Sequence, residues 1–408
     1  MKILIITQYF FPEEFKINDL VENLSRDGHD MSVFTGLPNY PQGHFAKGYS
    51  LLSGPYFERG PGNCKIYRTP IIPRGKHKNI QLLLNYASYC LLGALIVPWK
   101  LRKEKFDHIL VYQPSPVFIV VPGIVMKFLR KIPMSLWITD LWPNTLEAIG
   151  IIKSPKIIAL VTMFVQWAYQ CCDNILITSK SYGPHILKIF KPKKPLIFLP
   201  QWPEPHFLEK VEISLEIQKK FPKGFVSLFA GNVGTSQSLD TIIDAAKILL
   251  KESQDYYWVV LGDGLDLQRV KKRVKDENLD KNFLFFPPVP VLQVPLYYCL
   301  ADALIVSLKD EELFGLTIPA KLQTCMASGI PILGSINGEA ADIIREANCG
   351  MVSEACNVDE FANATRKLYQ TPIEERRVLG GNGKRYCLEN FERNKLKDKL
   401  VSVMESSS

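Results

Sequence analysis

Short apolar runs alternate with helix-length segments along almost the whole chain, and the alternation is broken once, by a stretch rich in proline and lysine. The run Lys2-Ile-Leu-Ile-Ile-Thr7 reads as a first strand, and the apolar residues Ile17, Leu20, Val21 and Leu24 follow at helical spacing. Gly28-His29 ends that helix, and residues 31–35 read as the next strand. Further strands at 108–112, 134–139 and 174–178 make the first half an α/β domain with a largely parallel sheet. The interruption, residues 191–204, holds Pro192, Pro195, Pro200 and Pro203 with three lysines, which is linker chemistry and places a boundary near 195–215. A second series follows, with strands at 224–230, 258–261, 283–286, 303–307 and 331–334 and a helix over 239–250. Because 408 residues exceed the about 250–300 that one core supports, two Rossmann-like domains are expected. They cover 1–200 and 201–387, facing each other across a cleft where such folds bind ligands. An amphipathic helix over 388–404 is expected to return to the first domain.

Hydrophobic residues at 47% and charged residues at 22% exclude disorder, collagen and coiled coil. Nine cysteines at irregular spacing, without a C-x-x-C pair, argue against a secreted disulfide framework and a structural zinc site, and predict reduced thiols in a cytoplasm. The net charge of +8 is uneven: residues 1–200 carry 24 Lys and Arg against 12 Asp and Glu, whereas residues 201–408 carry 25 against 29. A basic first half suits nucleic acid, an anionic membrane surface or a phosphate-bearing substrate. No nucleic-acid motif is present, which leaves the last two.

The apolar start is short and lacks a small-residue cleavage site before Pro12-Glu13-Glu14, so it reads as a buried strand rather than a signal peptide. Residues 79–99 carry no charge, and their length permits a membrane span, but Asn79, Gln81, Asn85 and Ser88 argue against one. Lys100, Arg102, Lys103 and Lys105 follow that run, and Lys127, Arg130 and Lys131 follow the apolar stretch 117–126. Apolar segments beside basic clusters suit peripheral attachment to the inner face of a membrane, where each cation adds about 1 kcal/mol. An ordinary buried helix with a solvated end is the competing reading.

Three segments carry chemistry in the second half. Gly231-Asn232-Val233-Gly234-Thr235-Ser236 lies between a strand and a helix, where glycines let the backbone approach an anion and helix N–H groups stabilise a phosphate. A plain strand-to-helix turn fits the same residues, and the missing third glycine excludes a dinucleotide fingerprint. Gly262-Asp263-Gly264 suits a tight turn. Glu311-Glu312-Leu-Phe314-Gly315-Leu316-Thr-Ile-Pro319-Ala320-Lys321 follows a strand and opens a helix at Pro319, so its carboxylates and lysine either face the cleft or form a solvated acidic turn with a surface lysine.

These segments, together with Gly338-Glu339-Ala340-Ala341-Asp342-Ile343-Ile344, resemble the donor domain of glycosyltransferase family 4, retaining sugar transferases of the two-domain GT-B fold. In the first half, Gln8-Tyr-Phe-Phe-Pro-Glu13, Thr35-Gly-Leu-Pro-Asn39-Tyr-Pro-Gln-Gly43, Gln113-Pro-Ser-Pro116 and Asp140-Leu-Trp-Pro143 resemble a subgroup that builds bacterial surface polysaccharides. Its members include O-antigen L-fucosaminyltransferases and colanic-acid transferases. The resemblance spans about residues 1–400. It implies a UDP-sugar donor, such as UDP-L-FucNAc, an undecaprenyl-diphosphate-linked saccharide acceptor, and no cofactor or metal.

Carried onto this chain, Glu312 contacts the donor sugar, beside Phe314, Gly315 and Leu316. Ala320 stands where the family has a second glutamate for the ribose, and Glu339 is the expected replacement. Asn232 and Gln237 stand near the usual diphosphate clamp, so Lys321 is expected to neutralise the phosphates together with Gly231 and Gly234. Backbone near Val289 holds the base. Asp140 orients the attacking hydroxyl or stabilises the sugar cation, or else caps the following helix. Glu13, Glu14 and Asn39 lie on the acceptor side. A UDP-GlcNAc 2-epimerase of the same fold and a non-catalytic assembly scaffold are the rival readings.

Overall fold

A computed structural model describes residues 1–75, 79–145, 154–209, 211–213 and 215–407. Residues 210 and 214, within the expected boundary stretch, and most of the segment after Pro143 lie outside these. The described chain falls into two compact units, Met1–Pro200 with Asn394–Ser408, and Gln201–Arg393.

The first unit is built on an eight-stranded sheet. Its strands and main helices run β1 (Lys2–Ile6), α1 (Lys16–Arg26), β2 (Asp30–Gly36), β3 (Phe57–Arg59), β4 (Lys65–Thr69), α2 (Asn79–Lys100), β5 (His108–Gln113), α3 (Val120–Arg130), β6 (Met134–Ile138), α4 (Pro155–Gln170), β7 (Asn174–Ile177), α5 (Tyr182–Ile189) and β8 (Ile197–Phe198). The sheet order is β3-β4-β2-β1-β5-β6-β7-β8, and every pairing is parallel except β3 with β4. Central strands of such sheets are covered on both faces, so they read as unbroken apolar runs, and Ile3 to Ile6 are fully buried. In α1 the residues Ile17, Leu20, Val21 and Leu24 turn inward, and Gly28 at φ +88° ends the turn that follows.

The second unit carries β9 (Phe225–Ala230), α6 (Leu239–Leu249), β10 (Tyr256–Leu261), α7 (Leu267–Asp276), β11 (Phe283–Phe286), β12 (Ala303–Ser307), α8 (Glu312–Gly315), α9 (Ala320–Ser328), β13 (Ile332–Ser335), α10 (Glu339–Glu346), β14 (Gly350–Ser353), α11 (Val358–Gln370) and α12 (Ile373–Asn390). The parallel order β11-β10-β9-β12-β13-β14 reverses direction between β9 and β12. The first unit reverses likewise between β1 and β5. At such a switch point the loops after the two central strands diverge and leave a crevice at their carboxyl ends.

The carboxy-terminal helix departs from expectation at its start. Residues 388–390 complete α12, the chain breaks at Phe391, which is buried against Tyr386, and α13 (Arg393–Glu405) begins anew. Helix α13 belongs to the first unit: Lys397 pairs with Asp27, Asn174 Nδ2 donates to Ser407 Oγ at 2.8 Å, and Leu400 and Met404 are fully buried.

Helix α2 is long and apolar enough to cross a membrane by length and composition. One face is built into the unit, where Tyr89 Oη donates to Thr7 O at 3.0 Å and a Cβ on Gly93 would meet Pro122 of α3 at 2.9 Å. Its other face is open, with Leu95 75% and Trp99 64% exposed.

Candidate functional site

In the second unit the loop after β9 is shaped by close backbone contacts. Gly231 has φ +126°, and a Cβ on Gly262 would lie 2.1 Å from Gly231 O, so both positions require glycine. Val233 N donates to Asp263 O at 2.8 Å, and Asp266 N to Val233 O at 3.0 Å. The Gly262-Asp263-Gly264 segment is therefore the tight turn that supports the loop. Helix α6 begins at Leu239, as the sequence predicts, and does not start directly at the loop. A 3-10 turn, Thr235–Gln237, and Ser238 in a left-handed conformation come between them. That turn is held by the loop after β12, as Ser307 Oγ donates to Gln237 O at 2.6 Å and Lys309 N to Ser236 O at 2.9 Å.

Pro319 fixes the entry to α9, and Lys321 stands in its first turn. Its Nζ donates to Gln237 Oε1 at 2.6 Å, lies 3.9 Å from the Phe229 ring centroid, and is 4.0 Å from where a Gly231 Cβ would sit. The structure thus brings Gly231, Gln237 and Lys321 together at the switch point. Burial lowers the Lys321 ammonium from its ordinary value to about 8.

Glu312 opens the one-turn α8 and is exposed. A Cβ on Gly338, which has φ +67°, would fall 1.9 Å from Gly315 O, so the start of α10 with Glu339 lies against the Phe314-Gly315-Leu316 segment. Asn337 Nδ2 donates to Asp310 Oδ1 at 2.9 Å and tightens the same junction. Asn232 is exposed on the loop beside Gly234. Val289 lies beyond β11, two strands from β9 on the side away from β12.

In the first unit, Asp140 follows β6 and is gripped from several segments. Thr145 Oγ1 donates to its Oδ1 at 2.5 Å and Trp142 Nε1 reaches its Oδ2 at 3.3 Å, while Gln113 Nε2 donates to its backbone carbonyl at 3.0 Å. Trp142 Nε1 also lies 3.3 Å from Ser115 Oγ, and the Tyr86 phenol of α2 feels the Asp140 charge. Burial outweighs these bonds and pushes the Asp140 carboxyl up to about 6. Ser115, Thr145 and Tyr86 have no sequence pattern that marks them; only the convergence of their loops does.

Glu13 is 7% exposed and serves the chain itself: its Oε1 accepts from Asn39 N and Tyr40 N, each at 2.7 Å. Burial raises its carboxyl to about 7. Asn39 is buried as well, and its Oδ1 accepts from Arg74 N at 2.8 Å. Glu14, in contrast, is exposed.

Two units, each with a doubly wound parallel sheet, and a last helix returned to the first unit define the GT-B fold. Solved structures share it: sucrose-phosphate synthase from Thermosynechococcus elongatus superposes with a TM-score of 0.75 at 14% identity, covering 99% of this chain and 98% of that one. Anabaena Alr3699/HepE in complex with UDP and glucose gives 0.70 at 13% identity over the full length of both. Residues 211–386 match the family of glycosyl transferases group 1. Among curated relatives, the putative colanic acid biosynthesis glycosyl transferase WcaI of Escherichia coli K12 is 26% identical over 344 residues, 81% of this chain and 82% of its own. The probable glycosyltransferase WbjE of Pseudomonas aeruginosa is 21% identical over 264 residues, covering 60% and 65%.

Proposed function

We propose that this protein is a retaining glycosyltransferase of bacterial surface-polysaccharide synthesis. It moves a sugar from a UDP-activated donor, such as UDP-L-FucNAc, to a hydroxyl of an undecaprenyl-diphosphate-linked saccharide. The observation that carries this reading is the meeting of Lys321, Gln237 and the Gly231 loop at the switch point of the unit that matches the group 1 transferases. As the sugar leaves, negative charge builds on the diphosphate, and cations and amide dipoles fixed in advance stabilise that charge without reorganising. Gln237 holds the Lys321 ammonium in position, the loop lets backbone approach the phosphates, and Glu312 and Glu339 contact the sugar and ribose. Asp140 orients the attacking hydroxyl. The relatives' names support a polysaccharide product, and HepE's complex with UDP supports the nucleotide.

Incubation of the full chain with a panel of UDP-sugars and a synthetic lipid-diphosphate saccharide tests this. The expected result is a lengthened saccharide with unchanged anomeric configuration. Release of an epimerised free nucleotide sugar would make the protein an epimerase, and nucleotide binding without product would make it a scaffold, the reading that Ala320 in place of a second glutamate favours.

The open face of α2 supports attachment to the inner membrane surface. Leu91, Leu95 and Trp99 project from it, and Ile157, Leu160 and Met163 are exposed on α4, with Arg102, Lys103, Lys105, Arg130 and Lys131 exposed nearby in sequence. Apolar side chains enter the headgroup layer while the cations meet anionic lipid. Partial sedimentation with anionic liposomes, weakening as salt rises, is the expected result, and full solubility at low salt would remove the membrane from the account.

A further inference from the structure

Two arginines of the first unit, Arg68 and the half-buried Arg74, differ in their partners among the described residues. Arg68 is fully buried, and its guanidinium donates to Glu58, Gly36 O and Phe11 O. Arg74 has no carboxylate partner among the described residues. Among the described residues its one side-chain hydrogen bond runs from Nη1 to Tyr9 Oη at 3.4 Å, and its Cζ lies 5.3 Å from the Tyr40 ring centroid. Burial keeps the Tyr9 and Tyr86 phenols protonated, so they do not neutralise it. A guanidinium carries five N–H donors in a planar fork, and Arg74, half-buried, commits one of them, at 3.4 Å, within the described residues.

The backbone that carries Arg74 is nonetheless firmly placed. Arg74 N donates to Asn39 Oδ1 at 2.8 Å and Gly75 N to Gly43 O at 2.7 Å, and the Asn39–Tyr40 segment is pinned by Glu13. The side chain also lies near the Asp140 cluster: the Tyr86 phenol feels the charges of both Arg74 and Asp140. A guanidinium on a fixed backbone, beside an aromatic ring and with most of its donors uncommitted within the described residues, is suited to a bidentate oxyanion such as phosphate.

We infer that Arg74 is an anion anchor of the first unit, forking onto a phosphoryl group of the acceptor's isoprenoid diphosphate while Tyr40 packs beside it. Naming the acceptor rests on the transferase reading; the anion site itself does not. The guanidinium charge is thereby matched by the ligand, and the hydroxyl to be glycosylated is held in register with Asp140.

Calorimetric titration of the full chain with geranyl diphosphate, and separately with UDP, tests this. Geranyl diphosphate is expected to bind the wild type, and Arg74→Gln to weaken it by at least about tenfold while UDP affinity stays within about twofold. Arg74→Lys keeps the charge without the fork and is expected to weaken geranyl diphosphate by about threefold or more, which settles the matter if the glutamine variant unfolds. Equal affinity in wild type and variants, or displacement of geranyl diphosphate by UDP, overturns the assignment. Inorganic pyrophosphate separates the sources: binding as tight as that of the geranyl ester overturns the isoprenoid part, and weaker binding supports it. Loss of transfer in the saccharide assay with Arg74-dependent binding intact would sink the transferase reading and leave the anion site standing.

Discussion

Lys321→Ala is expected to lower steady-state turnover by at least about tenfold, because it removes a cation held against the Gly231 loop. Burial holds the folded-state ammonium at about 8, below its ordinary value of 10.5. Lys321 is therefore charged below that pH and neutral above it, so donor affinity in the wild type should fall as pH rises through about 8. Lys321→Met should show no such limb. The same shift makes a stability statement. Between about 8 and 10.5 the unfolded chain holds this proton and the folded chain does not, so the lysine's unfavourable contribution is full below that window and fades across it. At neutral pH, Lys321→Met is thus expected to melt at the wild-type temperature or above while turnover collapses. An unchanged rate in either variant would remove Lys321 from the mechanism.

Asp140→Asn is expected to lower turnover by at least about tenfold as well and to erase an acidic limb. The wild-type carboxyl is raised from 3.8 to about 6, so the carboxylate proposed to orient the hydroxyl forms only as pH passes about 6, and activity should rise there. In stability the sign is opposite to that of a salt-bridged aspartate. The folded chain holds the proton more tightly than the unfolded chain between 3.8 and about 6, and the contribution becomes unfavourable as pH rises through that range. The asparagine keeps an acceptor for Thr145, which supports folding at neutral pH. Measuring kcat/KM for the acceptor against pH decides the assignment: a limb near pH 6 that survives in Asp140→Asn belongs to another group.

Together the two limbs describe a narrow working range, with activity high between about 6 and about 8. Each limb has its own variant, so the two residues are tested independently.

What the chain reveals without its fold is whatever depends on near neighbours in sequence. The run Ile3 to Ile6, the spacing of Ile17, Leu20, Val21 and Leu24, and Pro319 at the head of α9 follow from burial on both faces, helical periodicity and a locked φ angle. The strand β3 escaped that reading because it is three residues long at the sheet edge, and β4 because Lys65-Ile-Tyr-Arg-Thr69 is neither an unbroken apolar run nor a strict alternation. Glu13 looked like a loop carboxylate free to meet a ligand, and tertiary structure turned it inward onto Asn39 N and Tyr40 N, a contact across more than twenty residues that no local pattern encodes. Arg74, Tyr9, Tyr86, Ser115 and Asp140 come from five separate segments, and they meet only because the sheet order sets β1 beside β2 and β5, with β4 and β6 next outward. Strand order is settled by the packing of the whole unit, so the elements could be read along the chain, whereas their convergence on one crevice could not.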